Sequence, residues 1–107
     1  MPAPVLPASP TLNDYQTYIA AVEALRGFDS DSAQDCLLML TEELGELAKA
    51  LRKHSGVKTA TDSHSHSLSN ETADLFFLLC SLANRLHIPL ETAFREKEAL
   101  NQKRVWK

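Results

Sequence analysis

At 107 residues, 44% hydrophobic and 23% charged, the chain has an ordinary globular composition. It has room for one domain, which at this size buries roughly two-thirds of its unfolded surface. A net charge of −3 and a pI near 5.7 supply no basic field for a nucleic-acid polymer, and no uncharged apolar run reaches the roughly 18 residues of a membrane span.

The first ten residues, MPAPVLPASP, hold four of the five prolines. They read as a flexible arm (1–10) ahead of a single helical domain (11–107). They lack the basic segment and apolar run of a secretory leader, so a cytoplasmic protein is expected. Cys36 and Cys80 are too few for a disulfide scaffold and sit in apolar helical text, which makes them buried thiols. Thr11 with Asp14 three residues on is a capping-box signal, and the helix it opens carries Tyr15, Ile19 and Val22 on one side, with Leu25 or Arg26, until Gly27 stops it. Ser32 with Asp35 repeats the cap. A second helix then runs to about Lys53, with Leu37, Leu40, Leu44, Leu47 and Leu51 in a stripe of alternating three- and four-residue steps.

The text from about 54 to 69 is rich in Ser, Thr and His and reads as a mobile loop. Its His54, His64 and His66 are either a short metal-binding tract or solvated side chains; no regular ligand spacing is present. A third helix begins near Ser69 or Asn70 and reaches about Leu86, with Leu75, Leu79, Leu82 and Leu86 as its main stripe. Pro89 fits the first turn of a fourth helix, where its missing N–H costs nothing, and that helix runs to about Arg104. No strand alternation and no long internal repeat occur, so the fold class is all-α, a four-helix bundle. ADLFFLLCSLA in the third helix is apolar nearly all the way round and needs cover on every side. Three other helices cannot supply it, and a homo-oligomer joined through the central helices is expected.

LTEELGELAKALRK puts Glu42, Glu43 and Glu46 within two turns, with Glu42 and Glu46 as like charges at i, i+4, which destabilises a helix by a few tenths of a kcal/mol. Asp74 sits inside the apolar run with Glu71 one turn before it. Burying an ionised carboxylate costs several kcal/mol or raises its pKa until it is neutral. Glu43 and Glu46 share one helix face, as do Glu71 and Asp74. Packing the two helices through their leucine stripes would bring all four to one seam. Hard divalent cations want such oxygen sets: Mg²⁺ takes six oxygen ligands at about 2.0–2.1 Å, some of them water or phosphate. His and Cys, which would favour zinc, are missing from the four. The bland reading of Glu42, Glu43 and Glu46 is a solvated acidic face, but it explains Asp74 poorly.

Glu43-x-x-Glu46, 24 intervening residues, then Glu71-x-x-Asp74 resembles the signature of the MazG-like proteins of the all-α nucleoside triphosphate pyrophosphatase superfamily. EELGELAKALRK is similar to that family's second-helix text, and NETADLFFLLCSLANRLHIPLETAFREKEALNQKR to its last two helices; the likeness covers about residues 12 to 106. The resemblance implies an enzyme, and leaves dimer or tetramer open for the homo-oligomer expected above. Using Mg²⁺, it would hydrolyse (deoxy)nucleoside triphosphates at the α–β bond to the monophosphate and pyrophosphate, clearing unwanted nucleotides. Glu43, Glu46, Glu71 and Asp74 are then metal ligands. Glu42, about 100° away on the helix, is a water-orienting base or simply an exposed glutamate. Lys97, Asn101 and Arg104, on one face of the fourth helix, match a family Lys-x-x-x-Asn-x-x-Arg pattern that implies a grip on phosphates; without it they are a basic helix C-terminus favoured by the macrodipole. Phe28 sits near where relatives place an aromatic that stacks on the base, and its apolar ring suits core packing as well. Trp106 either covers the site or anchors the tail. Two alternatives stand beside this reading: a narrow-specificity relative acting on dUTP or phosphoribosyl-ATP, and a non-catalytic helical interaction protein with an acidic docking face.

Overall fold

The computed structural model describes residues 3–55 and 68–106. Four helices follow in order, α1 (Leu12–Arg26), α2 (Ala33–His54), α3 (Leu68–Arg85) and α4 (Leu90–Gln102), and no strand occurs among the described residues. The all-α expectation holds. The arm over residues 3–10 carries neither helix nor strand. Of the expected loop, His54 belongs to α2, and Leu68 and Ser69 open α3; His64 and His66 lie outside the described residues. No single helix is long and apolar enough to cross a membrane among the described residues.

The helix starts are built by the sequence locally. Thr11 Oγ1 accepts from the Asp14 N–H at 3.1 Å while the Asp14 carboxylate accepts from the Thr11 N–H at 2.9 Å. Ser32 and Asp35 do the same for α2, both at 3.1 Å, so each cap satisfies donors that a helix start leaves orphaned. Gly27 ends α1 with φ of 80°, a left-handed conformation that costs a residue with a Cβ about 1–2 kcal/mol. Pro89 departs from expectation: it is the N-cap residue of α4, not part of its first turn, and it offers no side-chain cap. The reason is tertiary. The Leu90 N–H is taken by Gln16 Oε1 of α1 at 2.8 Å, so α4 borrows its cap from another helix.

α2 and α3 pack antiparallel, Cys36 against Ser81 at one end and Glu43 against Glu71 and Asp74 further along. The leucine stripes are only partly buried. The fully buried positions of the two helices are small apart from Glu71: Cys36 and Ala50 on α2, and Cys80, Ser81 and Ala83 on α3. Leu40 and Leu47 are half-buried, and Leu37, Leu44 and Leu51 remain 54–58% exposed. Leu79 and Leu86 of α3 are likewise exposed. Both cysteines are free and buried, as their apolar setting implied.

α1 lies across α3 and also supports α4. Ile19 and Val22 are buried at 3% exposure, whereas Leu25 is exposed, and the Tyr15 ring meets the Phe76 ring edge-on at 5.1 Å. Two polar clasps fix this packing. Gln16 Nε2 donates to Asn84 Oδ1 at 3.0 Å and to the Ile88 carbonyl at 2.9 Å, while Asn84 Nδ2 returns a bond to the Gln16 carbonyl at 2.9 Å. Further along α1, Glu23 pairs with Arg85 at 3.1 Å and accepts from Ser81 Oγ at 2.7 Å.

Replacing Gln16 by Ala strands the Leu90 N–H and the Ile88 carbonyl, and should cost about 2 kcal/mol of stability in urea unfolding. Gln16→Glu keeps an acceptor for the Leu90 N–H but turns a carboxylate oxygen on Asn84 Oδ1 and the Ile88 carbonyl, so at neutral pH its midpoint should fall at least as far as that of Gln16→Ala.

Candidate metal centre

The 22-residue α2 and the antiparallel α3 bring acids together at one level of their seam. One carboxylate oxygen from each of Glu43, Glu71 and Asp74 falls within 4.8 Å of the others. Glu71 is buried, Glu43 half-buried and Asp74 exposed, so the group runs from the seam out to solvent. Glu46, one turn along α2, lies outside that 4.8 Å group. It shares with Glu42, Glu43, Gly45 and Glu71 the lining of an open cavity of about 540 Å³. A second cavity of about 300 Å³ opens on the other side of Glu43, between Met39, Glu42, Asp74, Phe77 and Leu78. Glu42 lines both.

The electrostatics follow from the crowding. Glu43 is pushed up from the ordinary 4.5 to about 7, first by a carboxyl–carboxylate hydrogen bond with Glu71, then by burial, then by the charges of Glu71, Asp74 and Glu46. Like charges this close cannot all ionise without a counter-charge. One Glu43 oxygen, Oε2, is buried with no hydrogen-bond donor facing it. The set offers only hard carboxylate oxygens, the donors that Mg²⁺ or Ca²⁺ takes, and a cation here would relieve both the repulsion and that oxygen.

The remaining residues singled out from sequence sit elsewhere. α4 packs on α1 and ends at Gln102, two residues short of the expected Arg104. Lys97 is exposed on it and Asn101 half-buried, with its Oδ1 buried and unpartnered, while Arg104 is exposed just past the helix end and so does not continue their helical face. Arg104 stacks its guanidinium over the Trp106 ring at 4.6 Å from the centroid. Phe28 stands 53% exposed in the turn between α1 and α2, which removes core packing as its role within the single chain. Sequence reading missed Gln16, Glu23 and Arg85, the polar residues that fix how α1 and the turn meet α3. A hollow of about 530 Å³ beside Gln16 and His87 is lined by no acidic residue.

The structure is thus an all-α domain that gathers acids from two antiparallel helices. The family model of the MazG nucleotide pyrophosphohydrolase domain matches residues 31–104, and the chain belongs to that family. The matched span holds all the carboxylates and the α4 face, and begins just after Phe28. The structure is similar to that of iMazG from Vibrio DAT 722, with a TM-score of 0.64 and 26% identity over 91% of this chain and 99% of that one. An uncharacterized protein of Bacillus subtilis (strain 168), YpjD, is 46% identical over 56 residues. That match spans half of this chain and half of the relative's length.

Because the folded pKa of Glu43 lies above its ordinary value, the native state keeps a proton that the unfolded state releases. The associated stability is complete below about 4.5 and is lost as pH rises through about 7. In a chelator, the melting temperature should fall across that window. Glu43→Gln should melt higher than wild type at the upper end of the window and show a flatter profile, as read by circular dichroism.

Proposed function

We propose that the protein is a Mg²⁺-dependent pyrophosphohydrolase acting on (deoxy)nucleoside triphosphates at the α–β bond, giving a monophosphate and pyrophosphate, as cytoplasmic nucleotide house-cleaning. The observation that carries this reading is the convergence of Glu43, Glu71 and Asp74 within 4.8 Å in a chain of the MazG family. Glu43, Glu71 and Asp74, joined by Glu46 across the cavity, would hold the ion. When bound, Mg²⁺ neutralises phosphate charge and lowers the pKa of a coordinated water. Glu42, on the wall of both cavities, is placed to orient the attacking water and accept its proton. Lys97 and Arg104, with Asn101, supply the cationic and amide donors for the outer phosphates, so that the leaving pyrophosphate departs with its charge already countered.

Lys97 and Asn101 stand on α4 and Arg104 just past its end, with α4 against α1, and the proposal therefore includes a homodimer or homotetramer that completes the site and covers the apolar faces. Leu37, Leu44 and Leu51 repeat at heptad spacing on the outer face of α2, and Phe94 and Leu100 are 68% and 59% exposed on α4. The single chain is also open, with a radius of gyration of 16.8 Å against about 13 Å for a compact chain of this length.

Incubating the protein with a panel of (deoxy)nucleoside triphosphates, with and without Mg²⁺, should give monophosphate and pyrophosphate on chromatography only when the ion is present. Diphosphate with orthophosphate would mean the outer bond is cut. Activity confined to dUTP or phosphoribosyl-ATP would narrow the substrate class.

Glu46→Gln and Asp74→Asn should each lower turnover by more than about a hundredfold while helical content is kept, because removing a ligand costs at least as much as removing a group that supports one. A docking surface would tolerate loss of either acid. Lys97→Ala should weaken triphosphate binding by about 1–3 kcal/mol and leave Mg²⁺ binding nearly unchanged.

Light scattering at micromolar concentration should report at least a dimer. Leu44→Glu should shift it toward monomer and remove activity, with helicity retained. A fully active monomer would sink the assembly.

A further inference from the structure

The chemistry above leaves one buried ionic group unused. Glu23 and Arg85 have side-chain exposures of only 8% and 14%, and Ser81 beside them is fully buried. Arg85 Nη1 donates to the Glu23 carboxylate at 3.1 and 3.2 Å and to Ser81 Oγ at 2.7 Å. The Ser81 hydroxyl gives its single proton to Glu23 Oε2 at 2.7 Å, since a carboxylate can only accept. A buried ion pair adds little stability over apolar packing of the same volume, and its best-attested use is to fix a register.

The register at stake is that of α2 on α3. The other edge of the guanidinium is spent on the chain that leads into α2. Nε donates to the Asp31 carbonyl at 2.6 Å and Nη2 to the Phe28 carbonyl at 2.8 Å, and Ser32, the next residue, is the N-cap of α2. One turn into that helix, the fully buried Cys36 meets Ser81, its Sγ 3.5 Å from the hydroxyl oxygen. From this contact the two helices run in step. Glu43 lies seven residues beyond Cys36, and Asp74 seven residues before Ser81; Glu46 lies three beyond Glu43, and Glu71 three before Asp74. Seven residues are two turns, about 10 Å of helix, so the tie keeps the acids level without touching them.

Level placement matters more to one cation than to another. Mg²⁺ demands near-octahedral oxygens at about 2.0–2.1 Å, whereas Ca²⁺ accepts oxygens at about 2.3–2.6 Å in a flexible geometry. A small slide of α2 along α3 therefore spoils a Mg²⁺ site and leaves one that Ca²⁺ can still use.

We propose that Arg85, anchored by Glu23 and Ser81, is a positioning residue for the cation site. By pinning the start of α2 to α3, it sets the register that keeps the carboxylates in the tight geometry Mg²⁺ requires. This rests on the reading of those carboxylates as cation ligands and adds what tunes their choice of ion.

The test is calorimetric titration of the full chain, stripped with a chelator, by Mg²⁺ alone and by Ca²⁺ alone. Arg85→Lys keeps a charge beside Glu23 but loses the planar fork that reaches both carbonyls. It should weaken Mg²⁺ binding about tenfold or more, as loss of support to a ligand set does, and Ca²⁺ binding by less than about threefold, with helical content retained. If Arg85→Lys loses helicity, Ser81→Ala removes one anchor of the guanidinium and is held to the same criterion. Gln16→Ala, which loosens α4 and leaves the Arg85 tie intact, should lose stability with neither affinity moved by more than about twofold. Equal falls for the two ions in Arg85→Lys, unchanged binding of both, or the same loss of Mg²⁺ affinity in Gln16→Ala would make the network a purely structural clasp and overturn the proposal. A wild type that binds neither ion removes the cation site itself, and this role with it.

Discussion

The antiparallel packing of α2 on α3 is the constraint from which the rest follows. Cys36 meets Ser81 at one point of that packing, and the antiparallel register set there brings Glu43 to the level of Glu71 and Asp74. The Glu43 carboxyl is pushed up to about 7 by its hydrogen bond with Glu71, by burial and by the neighbouring acids. The helices therefore hold the acids in a geometry the acids themselves oppose, which is how a protein preorganises a cation site.

The same register divides the leucines of α2. Cys36, Leu40, Glu43, Leu47 and Ala50, at steps of four and three, are its buried or half-buried side, and Leu37, Leu44 and Leu51 are left on the exposed one. The acids and the exposed apolar face are two results of one helix rotation. α1 and α4 then attach from the side, through hydrogen-bonded side chains as much as through apolar contact.

What sequence disclosed and what it hid divide along the same line. Thr11 with Asp14, Ser32 with Asp35, and Gly27 could be read directly, because a cap is satisfied by residues three or four positions away. The acid pairs were legible for a similar reason: i, i+3 spacing on a helix fixes a shared face before any tertiary contact exists. The seam itself was read only in part, since five leucines at helical spacing outweigh a few small residues in any count of hydrophobicity. Gln16 and Glu23 look like solvated positions on an amphipathic helix. Their burial depends on Asn84, Leu90, Ser81 and Arg85, 58 to 74 residues away, and no local pattern carries that information. Pro89 was misplaced by one position for the same cause, its helix being capped from α1. Phe28 was legible as an aromatic in a turn, but its exposure was not.

The Gln16 clasp makes the docking of α1 and the capping of α4 one event. The amide of Gln16 finds its partners at Asn84, Ile88 and Leu90, 68 to 74 residues further along the chain, and among the described residues α1 packs on α3 and α4. The start of α4 is therefore only as well capped as α1 is well seated: whatever loosens α1 takes away the acceptor of the Leu90 N–H.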